Sequence, residues 1–254
     1  DVDLRKNFGD TEVKVTLRAE DDTIRPDEDA EIVSGSGASP YLRDDNRGPQ
    51  RIYLREAFIS HDININSIID SVNLKMGRII YSWGNAAEVK PVDIINPQDY
   101  SNLYFTLLPE RKYGVLSGSM TVFFTENFFI EGVVIPEFRP SEIASGVFVQ
   151  REVRQLQETA LLALNTDGSG QPESDNHENS YAGRLGLTVF DIDMHVNYYY
   201  GYDHLPSYEM QADPTKLFPA PQAGCVTVTP VYHKIQMVGF DFQRALFWGI
   251  AIRG

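Results

Sequence analysis

The sequence has 254 residues, a formal net charge of −14 and a pI near 4.7. Such an acidic chain lacks the basic face that phosphate binding requires, which argues against a nucleic-acid partner. The single cysteine, Cys225, excludes an intrachain disulfide framework and a Cys-rich zinc site. No apolar run approaches the length of a transmembrane helix. A membrane can also be crossed by short β-strands of alternating polarity, so this absence does not exclude a membrane protein.

About nine strands are predicted in chain order. They cover 11–19, 50–60, 71–83, 113–124, 128–136, 182–190, 194–201, 229–240 and 245–253. Alternating polarity and β-branched or aromatic residues favour half-buried strands in these segments. The second strand contains a conflict, because Glu56 shares a face with Leu54 and Phe58. Either Glu56 lies near an interface or a β-bulge shifts the register.

The connections between these strands alternate in length. Long connections are predicted at 20–49, 84–112, 137–180 and 202–228, and short ones at 61–70, 125–127, 191–193 and 241–244. The long insertion 137–180 contains one predicted helix, about 149–164, because apolar residues recur there at three- and four-residue steps. Outer-membrane barrels place all long loops at one end. We therefore predict a single antiparallel up-and-down transmembrane β-barrel domain over 1–254.

The number of predicted strands indicates whether the chain covers a whole barrel. Single-chain bacterial barrels usually have an even number of strands, whereas about nine are predicted here. The sequence also stops at Ala251–Gly254 without a further turn. We expect the chain to be the N-terminal part of a larger barrel.

Alternation within the strands assigns polar side chains to an inward face. The lumen-facing candidates are Arg78, Glu131, Arg184, His195, Asn197 and Lys234. They could form a ladder of charges that selects solutes, or pair across the lumen and fill it. Aromatic residues near strand ends, Tyr198, Tyr200 and Trp248, are candidates for a membrane-interface belt.

Catalytic patterns are missing from the sequence. The five histidines show no paired metal spacing, and no nucleophile elbow, phosphate loop or dinucleotide fingerprint occurs. We therefore expect no enzyme activity, no metal site and no cofactor.

Several motifs occur in an order that matches a known family. They include LREAF at 54–58, MGRIIYSWG at 76–84, VDIINPQDY at 92–100, VVIPEFRPS at 133–141 and VGFDFQRALFWGIAIRG at 238–254. This order resembles a family of porin-like outer-membrane proteins of Gram-negative bacteria, catalogued as a domain of unknown function. The resemblance implies a longer barrel in the outer membrane that moves small, often hydrophobic, molecules. The helix-bearing insertion does not match the family pattern.

The resemblance also marks one loop as a signature. The matching residues are Trp83, Gly84, Asp93, Asn96, Pro97 and Asp99. One interpretation places Asp93 and Asp99 in the barrel mouth as a constriction that favours cations or ligand hydroxyls. In the other, the two carboxylates cap local turns while Trp83 anchors the base of the loop.

Three functions follow from these observations. The first is a channel in the bacterial outer membrane, with membrane lipid and a small-molecule solute as its partners. The second is a soluble or surface β-domain that binds a partner or a carbohydrate through its long loops. The third is a structural barrel within a larger envelope complex, with envelope proteins or further copies of the chain as partners.

Overall fold

The computed structural model describes residues 1–21, 50–84, 91–100, 110–141, 162–164, 179–212, 226–245 and 251–253. These ranges contain thirteen strands. They are β1 (Val2–Phe8), β2 (Thr11–Asp21), β3 (Gln50–Asn64), β4 (Ser71–Ile79), β5 (Val115–Thr125), β6 (Phe128–Ile135), β7 (Leu162–Leu164), β8 (Ser180–Val189), β9 (Ile192–Tyr202), β10 (Ser207–Ala212), β11 (Val226–Val231), β12 (Lys234–Ala245) and β13 (Ala251–Arg253). Within the described ranges, no helix has the length and apolar character needed to cross a membrane.

Ten of these strands form one antiparallel sheet. Its order is β1-β2-β3-β4-β5-β6-β8-β9-β12-β13, so each strand pairs with the next along the chain, except that β7 is inserted between β6 and β8, and β10 and β11 between β9 and β12. The inserted strands form a separate three-stranded sheet, β10-β11-β7, in which β7 runs parallel to β11. The predicted all-β, up-and-down antiparallel fold is confirmed.

The alternation of short and long connections is also confirmed for the described strands. Short connections at 9–10, 65–70, 126–127 and 190–191 lie at one end of the ten-stranded sheet, and the long ones leave from the other end. The turn at 190–191 joins β8 to β9 with positive φ at both Phe190 (51°) and Asp191 (59°). Two such residues make a type I′ turn, whose twist matches that of the flanking strands.

Three details of the predicted strands were wrong. Strand β1 was not predicted; it pairs with β2 along its whole length through a turn at Gly9, where φ is +61°. The predicted strand 229–240 divides into β11 and β12. The short connection predicted at 241–244 is part of β12, because all four residues pair with β9 and two of them also pair with β13.

The predicted helix about 149–164 falls mostly outside the described residues. Its last three residues, 162–164, form β7 and pair with β11 instead. A short apolar run fits either a helix or a strand, and pairing with a neighbouring strand decides in favour of the strand here.

The conflict at Glu56 is resolved by a β-bulge. The pairing of β2 with β3 shifts between Thr16 and Leu17, so that Thr16 faces Glu56 while Leu17 faces Leu54. Leu54 therefore points to the exposed side, and Glu56 is buried on the other side with Lys14 Nζ 2.5 Å from its carboxylate. The shift leaves Glu56 on the covered face with Phe58, within reach of Lys14, and keeps Ile52, Leu54 and Ile59 on the exposed face.

The two faces of the ten-stranded sheet differ in chemistry. On the covered face, loop 91–100 packs against the strands, and Ile95 joins a buried cluster with Phe58, Ile79, Val115 and Tyr199. The opposite face, called the apolar face below, exposes large hydrophobic side chains from β1 to β13. The core of the described molecule is therefore built between one side of the sheet and a loop.

Contacts of loop 91–100 indicate that the sheet is curved. Asn96 bonds to the end of β4, while Val92 lies against Gly239 of β12. In a flat sheet, the five steps from β4 to β12 would separate these strands by about 24 Å. Residues 92 and 96 span at most ~14 Å of backbone, so the covered face is concave around the loop.

Candidate functional site

Asn96 fixes loop 91–100 to the covered face. Its side-chain oxygen accepts the Tyr81 N–H at 2.7 Å, and its amide nitrogen donates to the carbonyls of Ile79 (3.0 Å) and Tyr113 (2.8 Å). The side chain is 2 % exposed. Ile79 is the last residue of β4, and Tyr81 and Tyr113 lie outside the paired residues of β4 and β5. Asn96 therefore supplies the hydrogen bonds that the strand ends lack.

A buried ion pair holds the start of the same loop. Lys112 Nζ contacts the Asp93 carboxylate and donates to the Tyr81 carbonyl at 2.7 Å. Both charged side chains are 6 % exposed. Removing either charge of a buried pair would leave the other charge buried without a counter-charge, which strongly destabilises a folded protein.

The remaining signature residues support the same anchoring. The Tyr113 hydroxyl donates to Asp99 at 3.0 Å, and the Tyr113 N–H donates to the Pro97 carbonyl at 2.9 Å. Gly84 has φ of +89°, which suits glycine at the point where the chain turns away from the buried Trp83. Both aspartates of the loop thus bond to side chains at the end of the long connection between β4 and β5, Lys112 and Tyr113.

Tyr81 lies beneath this anchor. Its hydroxyl is 3.0 Å from Ser117 Oγ, and its ring meets Trp83 edge-on with the centroids 6.5 Å apart. Burial raises the pKa of Tyr81 to about 12, so the hydroxyl stays protonated.

Four of the six lumen-facing candidates lie together on the covered face. Glu131 pairs in register with Arg184, and Arg184 pairs with Asn197 across β6, β8 and β9. Asn197 in turn faces Gly239 of β12, against which Val92 packs. These residues form a row across the strands, called the polar row below.

Asp241 connects the polar row to the fourth of these candidates, His195. Its carboxylate accepts from Asn197 Nδ2 at 2.6 Å and lies 3.0 Å from His195 Nδ1. Arg184 Nη2 is 4.0 Å from the same carboxylate, and its guanidinium lies 5.9 Å from the Trp83 ring centroid. Asp241 was not predicted as a site residue, because it fell within a predicted turn.

Some polar atoms in this region have no hydrogen-bond partner among the described residues. They are Asp93 Oδ1, Arg184 Nε and Asn197 Oδ1, and all three are buried. Buried polar atoms normally bond to protein or to water, so these two acceptors and one donor are left with unused hydrogen-bonding capacity.

The other two lumen candidates lie elsewhere. Arg78 lies on the side of β4 opposite to the covered face. Its guanidinium donates to the Gly114 carbonyl at 2.9 Å, at the rim of the sheet. Lys234 is the exposed first residue of β12, with Nζ 5.3 Å from the Tyr202 ring centroid. Neither side chain faces the polar row.

The predicted belt residues can be placed in part. Tyr198 and Tyr200 are 39 % and 38 % exposed on the apolar face, toward the long-loop end of β9. Tyr181 of β8 pairs in register with Tyr200 and is exposed beside it. Trp248 lies outside the described residues.

No group of three or more metal-ligating side chains occurs in the part of the chain that the structure describes.

Two further residues of the site were not predicted. Lys112 lies outside any periodic pattern, and His204 contacts only backbone carbonyls through its ring nitrogens. The sequence offers one indication of Lys112, because this residue directly precedes the predicted strand 113–124, which follows the signature loop.

Comparison with known proteins gives one match. A family model described as "Protein of unknown function (DUF1302)" matches residues 1–254. No curated protein and no solved structure matches the chain. The match agrees with the predicted resemblance to a domain-of-unknown-function family. The chain belongs to the DUF1302 family.

Proposed function

We propose that this chain is a transmembrane β-barrel of the bacterial outer membrane, and that it forms a channel for passive or facilitated passage of small molecules. The covered face lines the lumen, and the apolar face contacts lipid. Loop 91–100 narrows the lumen from within. Hydrophobic solutes are included, because the family resemblance points to them.

The distribution of exposed apolar side chains carries this proposal. Each strand of the ten-stranded sheet exposes at least one large hydrophobic residue on the apolar face: Val2, Leu4, Leu17, Ile52, Leu54, Ile59, Leu74, Met76, Leu116, Met120, Ile130, Val134, Leu185, Val196, Val238, Phe240 and Ile252. Soluble monomers rarely expose a contiguous apolar surface of such extent. Charged residues are buried on the other face, which is the polarity of a membrane barrel.

Three features at the ends of the strands also support the placement of the apolar face in lipid. Tyr181, Tyr198 and Tyr200 cluster on the apolar face near the long-loop end, with Lys234 Nζ 6.0 Å from the Tyr200 ring centroid. Tyrosine and lysine at this position suit a membrane–water interface. The short turns at 9–10, 65–70, 126–127 and 190–191, which the structure describes, lie at the opposite end, as in outer-membrane barrels.

The lumen proposal follows from the polar row and the loop. Glu131 on β6, Arg184 on β8 and Asp241 on β12 alternate in charge across the covered face, so the wall is polar without a single dominant sign. Asp93 and Asp99 act mainly as anchors of loop 91–100, because Lys112 and Tyr113 bond to them. Selectivity then depends on the size of the gap beside the loop and on the polar row.

Detergent dependence and conductance test this function. We expect the purified protein to require detergent or lipid to stay monodisperse, and to give discrete conductance steps in planar bilayers. Monodispersity in detergent-free buffer would contradict the membrane proposal and favour a soluble binding domain. Solubility only in detergent, with no conductance steps, would contradict the channel and favour a structural barrel.

A further inference from the structure

Lys75 is a half-buried cation on the covered face of β4. Its Nζ lies 4.7 Å from the ring centroid of Phe58, which belongs to the buried cluster of that face. Among the residues that the structure describes, its ammonium has no carboxylate within ion-pair distance and donates no hydrogen bond. The contact with the Phe58 ring alone leaves the three N–H donors of the ammonium unused.

Three other cations of the covered face each have a carboxylate within ion-pair distance. They are Lys14 with Glu56, Arg18 with Asp1, and Arg184 with Asp241. Glu131 interacts with Lys75 at longer range, but it interacts more strongly with Arg184. The charge of Lys75 is therefore the least compensated of these four.

Two serine hydroxyls flank Lys75 on the neighbouring strands. Lys75 pairs in register with Ser60 of β3 and with Ser119 of β5, and these serines are 4 % and 8 % exposed. Side chains at such directly opposite positions have Cβ atoms about 4.5–5.5 Å apart. Ser60 Oγ accepts from Asn73 Nδ2 at 2.8 Å, and its own O–H has no acceptor among the described residues. Ser119 also interacts with the Tyr81 hydroxyl.

The depth of Lys75 in the sheet makes an uncompensated charge costly. β4 has nine residues, and Lys75 is the fifth, so it lies midway along a strand that the proposed barrel places in the membrane. A charge at that depth is tolerated when it faces water, a counter-charge or a bound ligand rather than lipid. The covered face meets these conditions, and an anion from the lumen would complete the hydrogen bonds of the ammonium.

We propose that Ser60, Lys75 and Ser119 form a binding site for the carboxylate group of a small organic acid. The ammonium supplies one positive charge, and the two hydroxyls donate to the carboxylate oxygens. One cation matches a monoanion, whereas a phosphate dianion would need a second cation, which the flanking serines do not supply. The role of this site in selecting solutes rests on the proposed channel function.

Binding of trifluoroacetate to the detergent-solubilised protein tests the site without requiring conductance. Fluorine NMR titration measures the Kd, and trifluoroacetamide is the neutral probe of similar shape. We expect the wild type to bind trifluoroacetate about 10-fold or more tightly than trifluoroacetamide, because a hydrogen bond to a charged group contributes more than a neutral one. Lys75→Gln should weaken trifluoroacetate binding by about 10-fold or more, and Lys75→Arg should retain most of it.

A control and a second variant keep the test decisive. Lys6→Gln makes the same change of charge at an exposed position of β1, where Nζ lies 5.8 Å from the Phe8 ring centroid, and should leave binding unchanged. Ser119→Ala keeps the charge and removes one hydroxyl, so it should weaken trifluoroacetate binding by about 3-fold or more. Equal effects of Lys6→Gln and Lys75→Gln, or wild-type binding in both Lys75→Gln and Ser119→Ala, would overturn the site.

The binding site and the channel can fail independently. Conductance steps together with equal affinity of the wild type for the two probes would overturn the binding site alone. The expected loss of trifluoroacetate binding in Lys75→Gln, together with missing conductance steps, would overturn the channel and leave the carboxylate site in place.

Discussion

Replacement of Asn96 by alanine is expected to lower the free energy of unfolding by about 3 kcal/mol or more. The change removes one acceptor and two donors from three backbone groups, those of Tyr81, Ile79 and Tyr113. Each buried group left without a partner costs about 1–3 kcal/mol, and partial access of water reduces the sum. Denaturant unfolding of the purified protein in detergent micelles measures the effect.

Two further variants sharpen this prediction. Asn96→Asp keeps the acceptor for the Tyr81 N–H but places a carboxylate against two carbonyl oxygens, so it should destabilise at least as strongly. Asn73→Ala is the matched control, because Asn73 bonds only side-chain atoms, Ser60 Oγ at 2.8 Å and Asp62 Oδ1 at 2.7 Å, in a more exposed position. Equal and small losses for Asn96→Ala and Asn73→Ala would contradict the anchoring role of Asn96.

Replacement of Lys112 by methionine should be comparably severe. The substitution leaves the Asp93 carboxylate buried without its cation, and breaking a buried pair in this way costs about 3–5 kcal/mol. Denaturant unfolding again gives the loss, and hydrogen exchange of residues 92–100 locates it in the loop.

The double variant Lys112→Met/Asp93→Asn distinguishes a charge effect from lost packing. Removing the carboxylate should recover part of the stability, since no uncompensated charge remains. Arg5→Met is the surface control; its partner Glu12 is 2.8 Å away, but the side chains are 62 % and 33 % exposed, so about 1 kcal/mol or less is expected. If Lys112→Met behaves like Arg5→Met, the ion pair does not hold the loop.

Strand periodicity predicted most of the fold. The alternation of polarity located the strands, and the alternation of connection length placed the long loops at one end. The conflict at Glu56 left two explanations open, an interface position or a bulge, and the register shift between Thr16 and Leu17 decides for the bulge. The same alternation assigned Glu131, Arg184 and Asn197 to one face, and the structure adds that they pair in register across β6, β8 and β9.

Other features depend on contacts that no local pattern records. Lys112 and His204 act through residues distant in the chain, Asp93 and Ile95, so only the folded arrangement reveals their roles. Asp241 was assigned to a turn because a polar run near the end of a strand resembles a loop, whereas β12 continues through it. Arg78 and Lys234 lie near strand ends, where a long cationic side chain reaches the rim from either face.

The proposal as a whole depends on lipid contact of the apolar face. Spin labels on single cysteines along β12, in a Cys225→Ser background, measure this contact in liposomes. Labels at Val238 and Phe240, which are 72 % and 58 % exposed, should be accessible to oxygen and protected from a water-soluble nickel chelate. Labels at Met237 and Gln243 on the covered face should show no such lipid exposure. Nickel accessibility at Val238 and Phe240, or no alternation along the strand, would contradict a membrane-embedded sheet.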